Sequence, residues 1–290
     1  MKDLSVIIIN YNTKERVKEC ARSLIKYTEG IVYEVIVIDN CSTEQGGQQI
    51  LLEFPQFRFI QNQENAGFAK ANNKAARLAT GRNILFLNPD VILFDNALGA
   101  LVHFIDSRGD AGVVGPKLYR NLNKDYHSLY VKFTSPFKIF TWHLPLHRFF
   151  SKFYYTHFCN NKIAHSVDWV CGAALLIKKD LWVELQGFDE KFFLYCEDED
   201  LCLRAKQKGY KIFYYPQAEI VHLGGQSADQ TTEKSCRYYW ESTMYFFKKY
   251  CSAREIKWFK IYLSWLIRLK IVFKINVRYS EMVLNNLSQL

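Results

Sequence analysis

The first hundred residues alternate short apolar strands with helices, and this alternation limits the chain to a small group of folds. Strands are predicted at 4–10, 33–38, 57–61 and 84–87, and helices after Thr13, at 66–79 and at 97–106. The β-branched run at 4–10 is typical of a strand that is buried on both faces. Strands that alternate with helices form parallel units with right-handed crossovers. The sequence therefore predicts an α/β fold with a mostly parallel central sheet flanked by helices.

Three of these strands end in polar residues. The motifs are NYN at 10–12, DN at 39–40 and NPD at 88–90. Ligands of open α/β sheets bind beyond the carboxyl ends of the strands, so we expect a polar ligand at this edge. No GxGxxG or GxxxxGK[ST] pattern follows the first strand, which leaves dinucleotide and P-loop sites without support.

Four consecutive acids at 197–200 follow a cluster of aromatic residues, Phe192, Phe193 and Tyr195. Adjacent carboxylates repel each other, and burial beside apolar rings raises their pKa values. Such carboxylates serve as a general base, a metal ligand or an anchor for a substrate hydroxyl. The alternative is a solvated helix start, because acids near a helix N-terminus interact favourably with the helix dipole.

The positive charge of the chain is concentrated near its C-terminus. The formal net charge is +9, and residues 234–290 hold eleven Lys and Arg against three acids, a local +8. The preceding residues are close to neutral, which argues against a nucleic-acid enzyme with a basic cleft. The segment KWFKIYLSWLIRLKIVFK at 257–274 is amphipathic, and its charges interrupt any span of about 20 apolar residues. It predicts either a helix in the membrane interface or one docked on the domain or a second subunit.

The remaining features restrict the function less. Residues 121–168 are rich in aromatic residues and His without a clear period, which suits a substrate-binding insert or a packed surface subdomain. The eight cysteines show no CxxC spacing, and the N-terminus has no signal-peptide pattern. We therefore expect reduced thiols in a cytoplasmic protein, without a zinc site.

Six motifs, taken in order, resemble those of the family 2 glycosyltransferases. They are SVIIINYN at 5–12, VIDNCS at 37–42, NAGFAKANN at 65–73, LNPD at 87–90, GFDE at 187–190 and EDEDL at 197–201. The resemblance implies a GT-A (Rossmann-like) fold and an inverting enzyme that uses nucleotide-diphosphate sugars. The NPD variant and the block at 65–73 are most similar to the rhamnosyltransferase branch, which builds bacterial surface polysaccharides.

The resemblance also assigns roles on the donor side of the site. Asp39 would bind the base or ribose, with Asn10 and Asn12 beside it. Asp90 corresponds to the last acid of the family's DXD motif and would bind Mg²⁺ or Mn²⁺ on the diphosphate. Asn88 stands where that motif has its first acid, which predicts modest metal affinity. His222 would reach the diphosphate or complete the metal shell.

On the acceptor side the resemblance makes Asp198 the catalytic base. Glu197 and Asp200 would orient acceptor or donor, and four further residues are expected to contact substrate: Asn65, Gly67, Asn72 and Trp169. Elementary chemistry requires the same division of labour. A cation with oxygen ligands neutralises the departing diphosphate, and a separate carboxylate takes the proton of the attacking hydroxyl.

These features together predict a metal-dependent glycosyltransferase domain at 1–230, divided into a nucleotide-sugar half (1–115) and an acceptor half (116–230), with a basic helical tail at 231–290. The expected reaction moves L-rhamnose from dTDP-rhamnose to a lipid-linked or growing polysaccharide at the inner face of the cell membrane. A UDP-hexose or UDP-N-acetylhexosamine donor, a catalytically silent sugar-nucleotide-binding subunit and a nucleotidyltransferase are the alternatives. No nucleic-acid partner is expected, and a homodimer is kept open.

Overall fold

The computed structural model of the 290-residue chain describes residues 1–43, 46–127, 132–144, 162–224 and 233–289. The first half contains nine elements: β1 (Lys2–Asn10), α1 (Lys14–Tyr27), β2 (Tyr33–Asp39), α2 (Gly46–Glu53), β3 (Arg58–Gln61), α3 (Gly67–Ala76), β4 (Gly81–Leu87), β5 (Val91–Leu93) and α4 (Ala97–Asp106). Each strand and helix predicted in this half is present. The sequence did not predict α2 or β5.

The second half is less regular, as its sequence indicated. Its elements are β6 (Ala111–Tyr119), β7 (Tyr126–His127), α5 (Pro136–Trp142), β8 (His165–Val167), β9 (Ala174–Lys178), α6 (Lys179–Glu184), α7 (Glu197–Gln207) and β10 (Lys211–His222). The predicted insert at 121–168 contributes β7, α5 and β8, while 128–131 and 145–161 lie outside the described residues. The last strand, β10, runs to His222 across an irregularity between Tyr215 and Glu219.

One mixed sheet runs through both halves in the order β3-β2-β1-β4-β9-β6-β10-β5. The first four strands are parallel, which confirms the predicted mostly parallel arrangement. β9 runs antiparallel to both of its neighbours, β4 and β6, and so joins the nucleotide half to the acceptor half. The predicted division at 115 and 116 falls inside β6.

Apolar side chains fill both faces of the sheet. One core lies under α1, α2 and α4, and the other lies under α3, α6 and α7. Helix α1 buries Val17, Cys20, Ala21, Ser23 and Leu24, whereas Ile25 of the same helix is exposed. Helices on both faces leave the carboxyl edge of the parallel strands for the polar residues.

The residues after 232 form three helices and not one tail: α8 (Glu233–Tyr250), α9 (Ala253–Val272) and α10 (Val277–Gln289). Their inner faces make a third apolar core together with Phe192 and Ile139 of the main domain. The predicted boundary near 230 lies outside the described residues. In the described part of the chain, no helix combines the length and the apolar character that a membrane crossing requires.

Candidate active site

Asp39 lies at the carboxyl edge of the sheet between Asn10 and Gln61, because the parallel register aligns the ends of β1, β2 and β3. Its carboxylate accepts hydrogen bonds from Asn10 Nδ2 at 2.5 Å, Ser42 Oγ at 2.6 Å and Gln61 Nε2 at 2.7 Å. The Ser42 amide donates to the same carboxylate at 3.1 Å. Both carboxylate oxygens are therefore engaged by protein donors. Asp39 organises the loop that follows β2, so we expect it to support nucleotide binding through that loop.

Asn12 continues this loop structure. Its side-chain oxygen accepts hydrogen bonds from the backbone and hydroxyl of Thr43, at 2.8 and 3.0 Å. Its backbone has a positive φ of 55° and its amide donates to Ser42. Asn10 and Asn12 thus join the loop after β1 to the loop after β2. The structure brings these residues together with Asp39 as predicted.

The block at 65–73 links the nucleotide edge to the acidic segment. Asn40 Nδ2 donates to Asn65 Oδ1 at 2.8 Å and to the Gly67 carbonyl at 3.2 Å. Gly67 has a φ of +78°, and a Cβ there would lie 2.5 Å from the Phe193 carbonyl oxygen. The Phe68 amide donates to that same carbonyl at 2.7 Å. Only glycine permits this close approach of the two segments.

Two adjacent asparagines on α3 have different contacts. Asn72 is buried and donates to the Phe68 carbonyl of its own helix at 3.1 Å. Asn73, which the sequence analysis did not single out, donates to the Phe188 carbonyl at 2.9 Å and accepts the Phe188 amide at 2.9 Å. Asn72 has a local structural contact, and Asn73 joins α3 to the GFDE motif.

Asn88, Asp90 and His222 come together at the end of β4. Antiparallel pairing of β5 with β10 sets His222 beside Val91, and its Nε2 lies 3.3 Å from Asp90 Oδ1. Asn88 Nδ2 is 3.4 Å from the same imidazole nitrogen. Asp90 is 4% exposed, and its Oδ1 forms no hydrogen bond within the described residues. A buried carboxylate oxygen without a hydrogen bond is suited to a cation.

Asp198 lies in the first turn of α7 and faces the end of the loop that precedes β9. Its Oδ2 accepts the Gly172 amide at 2.7 Å, and its Oδ1 accepts the Glu199 amide at 2.8 Å. Two successive residues before the helix, Tyr195 and Cys196, have left-handed backbone with φ of 74° and 65°. This turn directs the start of α7 toward Gly172.

Glu197 and Asp198 form a carboxylate pair whose members have different environments. Burial raises the pKa of Glu197 well above its usual value, and the charges of Asp198 and Asp200 raise it further. Burial also raises the pKa of Asp198, but the amides of Gly172 and Glu199 oppose that effect. Glu197 Oε2 has no hydrogen-bond partner in the described residues. The amides of Gly172 and Glu199 therefore favour the ionised form of Asp198, while Glu197 Oε2 has no such donor within the described residues.

The last two acids of the run are held inside the protein. Glu199 is buried and accepts the Thr134 amide, and burial raises its pKa to about 7. Asp200 is fully buried and accepts hydrogen bonds from Arg204 Nε at 2.7 Å, Lys249 Nζ at 2.6 Å and the Tyr250 hydroxyl at 2.6 Å. The expectation that Asp200 orients substrate finds no support in these contacts, which engage both of its oxygens.

Trp169 lies between β8 and β9, partly buried against the core beneath α7. Its indole Nε1 has no hydrogen-bond partner among the described residues. The adjacent Asp168 accepts Lys206 Nζ at 2.6 Å and the Phe133 amide at 3.3 Å. A substrate contact through the Trp169 nitrogen therefore remains a prediction.

Comparisons with known proteins identify relatives of this chain. The rhamnosyltransferase WbbL of Escherichia coli is 27% identical over 82% of this chain and 90% of its own length. The N-acetylglucosaminyl-diphospho-decaprenol L-rhamnosyltransferase of Mycobacterium tuberculosis is 25% identical over 91% of this chain and 89% of its own. These relatives confirm the resemblance to the rhamnosyltransferase-like branch.

Among solved structures, the mannosyltransferase PcManGT of Pyrobaculum calidifontis, in complex with GDP-Man and Mn²⁺, has a TM-score of 0.59. The match covers 100% of this chain and 75% of that one at 16% identity. The likeness confirms the predicted GT-A fold. The sequence profile described as Glycosyl transferase family 2 matches residues 5–181. With this match over more than half of its length, the chain belongs to glycosyltransferase family 2.

Proposed function

We propose that this chain is an inverting glycosyltransferase that moves L-rhamnose from dTDP-rhamnose to a lipid-linked or growing surface-polysaccharide acceptor. The observation that carries the proposal is the carboxylate pair at the start of α7, in which Asp198 is fixed by the Gly172 amide at 2.7 Å. The rhamnosyltransferase names of the two relatives support the sugar. The decaprenol in one of those names supports a prenyl-linked acceptor.

The proposed step needs one base. Asp198 takes the proton of the acceptor hydroxyl as the oxygen of that hydroxyl attacks the anomeric carbon of the sugar. The bond from that carbon to the diphosphate breaks, and the nucleoside diphosphate leaves with the bonding electron pair. Attack from the side opposite the leaving group inverts the configuration. The two backbone amides at Asp198 favour its ionised form, so Asp198 is the proposed base, and the carboxyl group of Glu197 can bind a hydroxyl of the sugar or acceptor.

We propose that Asp90 and His222 hold a divalent cation, Mg²⁺ or Mn²⁺, against the donor. The buried Asp90 Oδ1, 3.3 Å from His222 Nε2, fits this role. No cluster of three or more His, Cys, Asp or Glu with ligand spacing occurs in the described part of the chain. The phosphate oxygens of the donor would therefore supply further ligands. When bound, the cation neutralises the charge of the departing diphosphate.

A transfer assay tests the proposed function. The full chain is incubated with dTDP-rhamnose, UDP-glucose, UDP-N-acetylglucosamine or GDP-mannose and a prenyl-diphosphate N-acetylglucosamine acceptor, and products are identified by mass spectrometry. Transfer from dTDP-rhamnose alone is the expected result. Transfer from a UDP-sugar would show that dTDP-rhamnose is not the donor, while the proposed reaction would still be a glycosyl transfer. Nucleotide-sugar binding without any transfer would favour the catalytically silent subunit.

Asp90→Ala is expected to weaken both Mn²⁺ binding and Mn²⁺-dependent binding of dTDP, since the ion joins the carboxylate to the phosphates. Calorimetric titration with dTDP, in the presence of Mn²⁺ and then of EDTA, measures the effect. The matched control is Asp95→Ala, a nearby partly buried acid outside the site. Wild-type activity that is unchanged in excess EDTA would contradict an essential metal.

We further propose a peripheral contact with the inner face of the membrane through α9. Its inner side buries Phe259, Leu263 and Ile267. Its outer side exposes Trp258, Ile261, Tyr262 and Trp265, which we call the α9 aromatic face. Exposed Lys257 and Arg268 lie on the same helix. Helix α9 thus docks on the domain and also presents Trp and Tyr beside positive charge, which supports the proposed membrane contact.

The double variant W258S/W265S is expected to bind vesicles that contain phosphatidylglycerol several-fold more weakly than the wild type. Wild-type binding should itself weaken with salt, because charges at surfaces are screened over about 10 Å at 0.1 M ionic strength. Vesicle sedimentation measures both. The control L52S/V183S removes two exposed apolar side chains from α2 and α6. Equal loss of binding in both double variants would contradict a contact specific to α9.

A further inference from the structure

Helix α8 lies outside the region that matches the family profile, yet its C-terminal half contacts the segment that carries the proposed base. Lys249 Nζ is 2.8 Å from Asp189 Oδ2 and 2.6 Å from Asp200 Oδ1. The Tyr250 hydroxyl donates to Asp200 Oδ1 at 2.6 Å, and the Tyr245 hydroxyl donates to Asp189 Oδ2 at 2.9 Å. Three side chains of α8 therefore bind two carboxylates on either side of Asp198.

The same helix also holds the backbone between these carboxylates. Ser242 Oγ donates to the Leu194 carbonyl at 2.7 Å, immediately before the two left-handed residues Tyr195 and Cys196. Cys196 Sγ lies 4.0 Å from Thr243 Oγ1. Consecutive left-handed residues other than glycine persist only where their surroundings over-determine them. Here α8 provides those surroundings.

Aromatic contacts extend the attachment along the segment. Ring pairs join Phe192 to Tyr245, Phe193 to Tyr238 and Tyr195 to Tyr239, with centroid distances of 4.8, 4.5 and 6.0 Å. Three aromatic side chains of the segment that leads into α7 thus contact one helix. Tilted and edge-to-face geometries of this kind are favourable aromatic contacts.

Asp200 connects this attachment to the rest of the domain. Its other oxygen accepts Arg204 Nε at 2.7 Å, while the Arg204 Nη atoms donate to the Leu185 and Gly187 carbonyls at 2.8 and 2.9 Å. Asp200 is fully buried and lies two residues after Asp198 on α7. A shift of α7 would therefore change the 2.7 Å contact between Asp198 and the Gly172 amide.

We propose that Lys249 and Tyr250 are positioning residues for the transfer reaction, which act through Asp200 to hold the first turn of α7 and the base it carries. The proposal rests on the proposed function for the identity of the base. Neither residue contacts the carboxylate of Asp198, so their effect is on its placement. A misplacement of about 1 Å can lower a rate about 10²-fold.

Lys249→Met and Tyr250→Phe test the proposal in the full chain. We expect kcat with dTDP-rhamnose to fall roughly 10- to 100-fold, while KM for the donor stays within about twofold, because Lys249 and Tyr250 bind Asp189 and Asp200 and not the residues proposed to hold the nucleotide or the cation. Hydrogen exchange should accelerate at amides 197–201 and remain unchanged in β1 and β4. Lys249→Arg should restore part of kcat, since it keeps the charge. The matched controls Lys248→Met and Tyr27→Phe should leave kcat and exchange unchanged.

Three results would overturn the proposal. The first is an unchanged kcat in both variants. The second is faster exchange throughout the sheet, which would indicate general destabilisation. The third is a rise of donor KM with an unchanged kcat. If the wild type transfers none of the tested sugars, the proposed function fails. Hydrogen exchange at amides 197–201 of the variants then tests separately whether α8 holds the start of α7. Faster exchange confined to these amides supports this role of α8, and unchanged exchange refutes it.

Discussion

Asp198→Asn is expected to lower turnover by about 10²–10⁴-fold, because the amide keeps the size of the side chain but cannot accept the proton of the acceptor hydroxyl. Binding of dTDP, measured by calorimetry, should change little. Since burial raises the pKa of Asp198, wild-type activity should fall on the acid side at a pH above the ordinary carboxylate range. The base must be ionised, so activity rises as pH increases through this pKa. Steady-state rates across pH, measured for both proteins, check these expectations.

Two neighbouring variants are the controls for this assignment. Glu197→Gln keeps the size and the hydrogen-bonding capacity of the side chain, and because Glu197 is not the proposed base, this variant should retain more activity than Asp198→Asn. Asp200→Asn disturbs the bonds to Arg204, Lys249 and Tyr250 and should lower thermal stability as well as turnover. Near-normal turnover in Asp198→Asn together with an inactive Glu197→Gln would transfer the role of base to Glu197.

Trp240→Ala is expected to lower the free energy of unfolding by about 3–5 kcal/mol, the range for removal of a large aromatic side chain from a core. Trp240 is 0% exposed and lies among Met244, Phe247 and Phe259, in the core that α8, α9 and α10 share with Phe192. Urea unfolding followed by circular dichroism measures the effect. Removal of α9 and α10 as a whole would uncover the same side chains, so we expect such a truncated chain to be poorly soluble.

Trp258→Ala provides the comparison within the same bundle. Trp258 is 45% exposed on the α9 aromatic face, so its removal should change the free energy of unfolding by about 0.5 kcal/mol or less. Equal destabilisation by the two substitutions would contradict the assignment of an inner and an outer side to the C-terminal helices.

The nucleotide half was predictable from the sequence because its signals are local. Residues 6–9 and 35–38 are continuous apolar runs, and each is followed by polar residues, so the sequence indicates both the strands and the polar edge of the sheet. The parallel register then brings Asn10 and Asp39 together, at 2.5 Å between Nδ2 and Oδ1. The grouping of Asn88, Asp90 and His222 was also expected, although from family resemblance and not from spacing.

The remaining features depend on contacts between distant parts of the chain. Nothing local in residues 174–178 indicates that β9 enters the sheet antiparallel between β4 and β6. One of the hydrogen bonds to the Asp39 carboxylate comes from Gln61, which lies on another strand. Likewise, the resemblance assigns Asp200 to substrate, and nothing near it in the sequence indicates its partners Lys249 and Tyr250, which lie about fifty positions away. The amphipathic pattern at 257–274 identifies the apolar side of a helix. The pattern does not show which of these apolar side chains are buried in the protein and which are exposed.

The segment that leads into β9 connects the proposed metal-side residues to the proposed base. The amide of Asn88, beside the metal-side residues, donates to the Ala173 carbonyl at 2.9 Å. One residue earlier, the Gly172 amide binds Asp198. In the proposed reaction, the departing phosphate would therefore lie beside Asn88 and the attacking oxygen beside Asp198, with one short backbone connection between them. Under this proposal, loops around the sheet could change with a different sugar or acceptor without altering that connection.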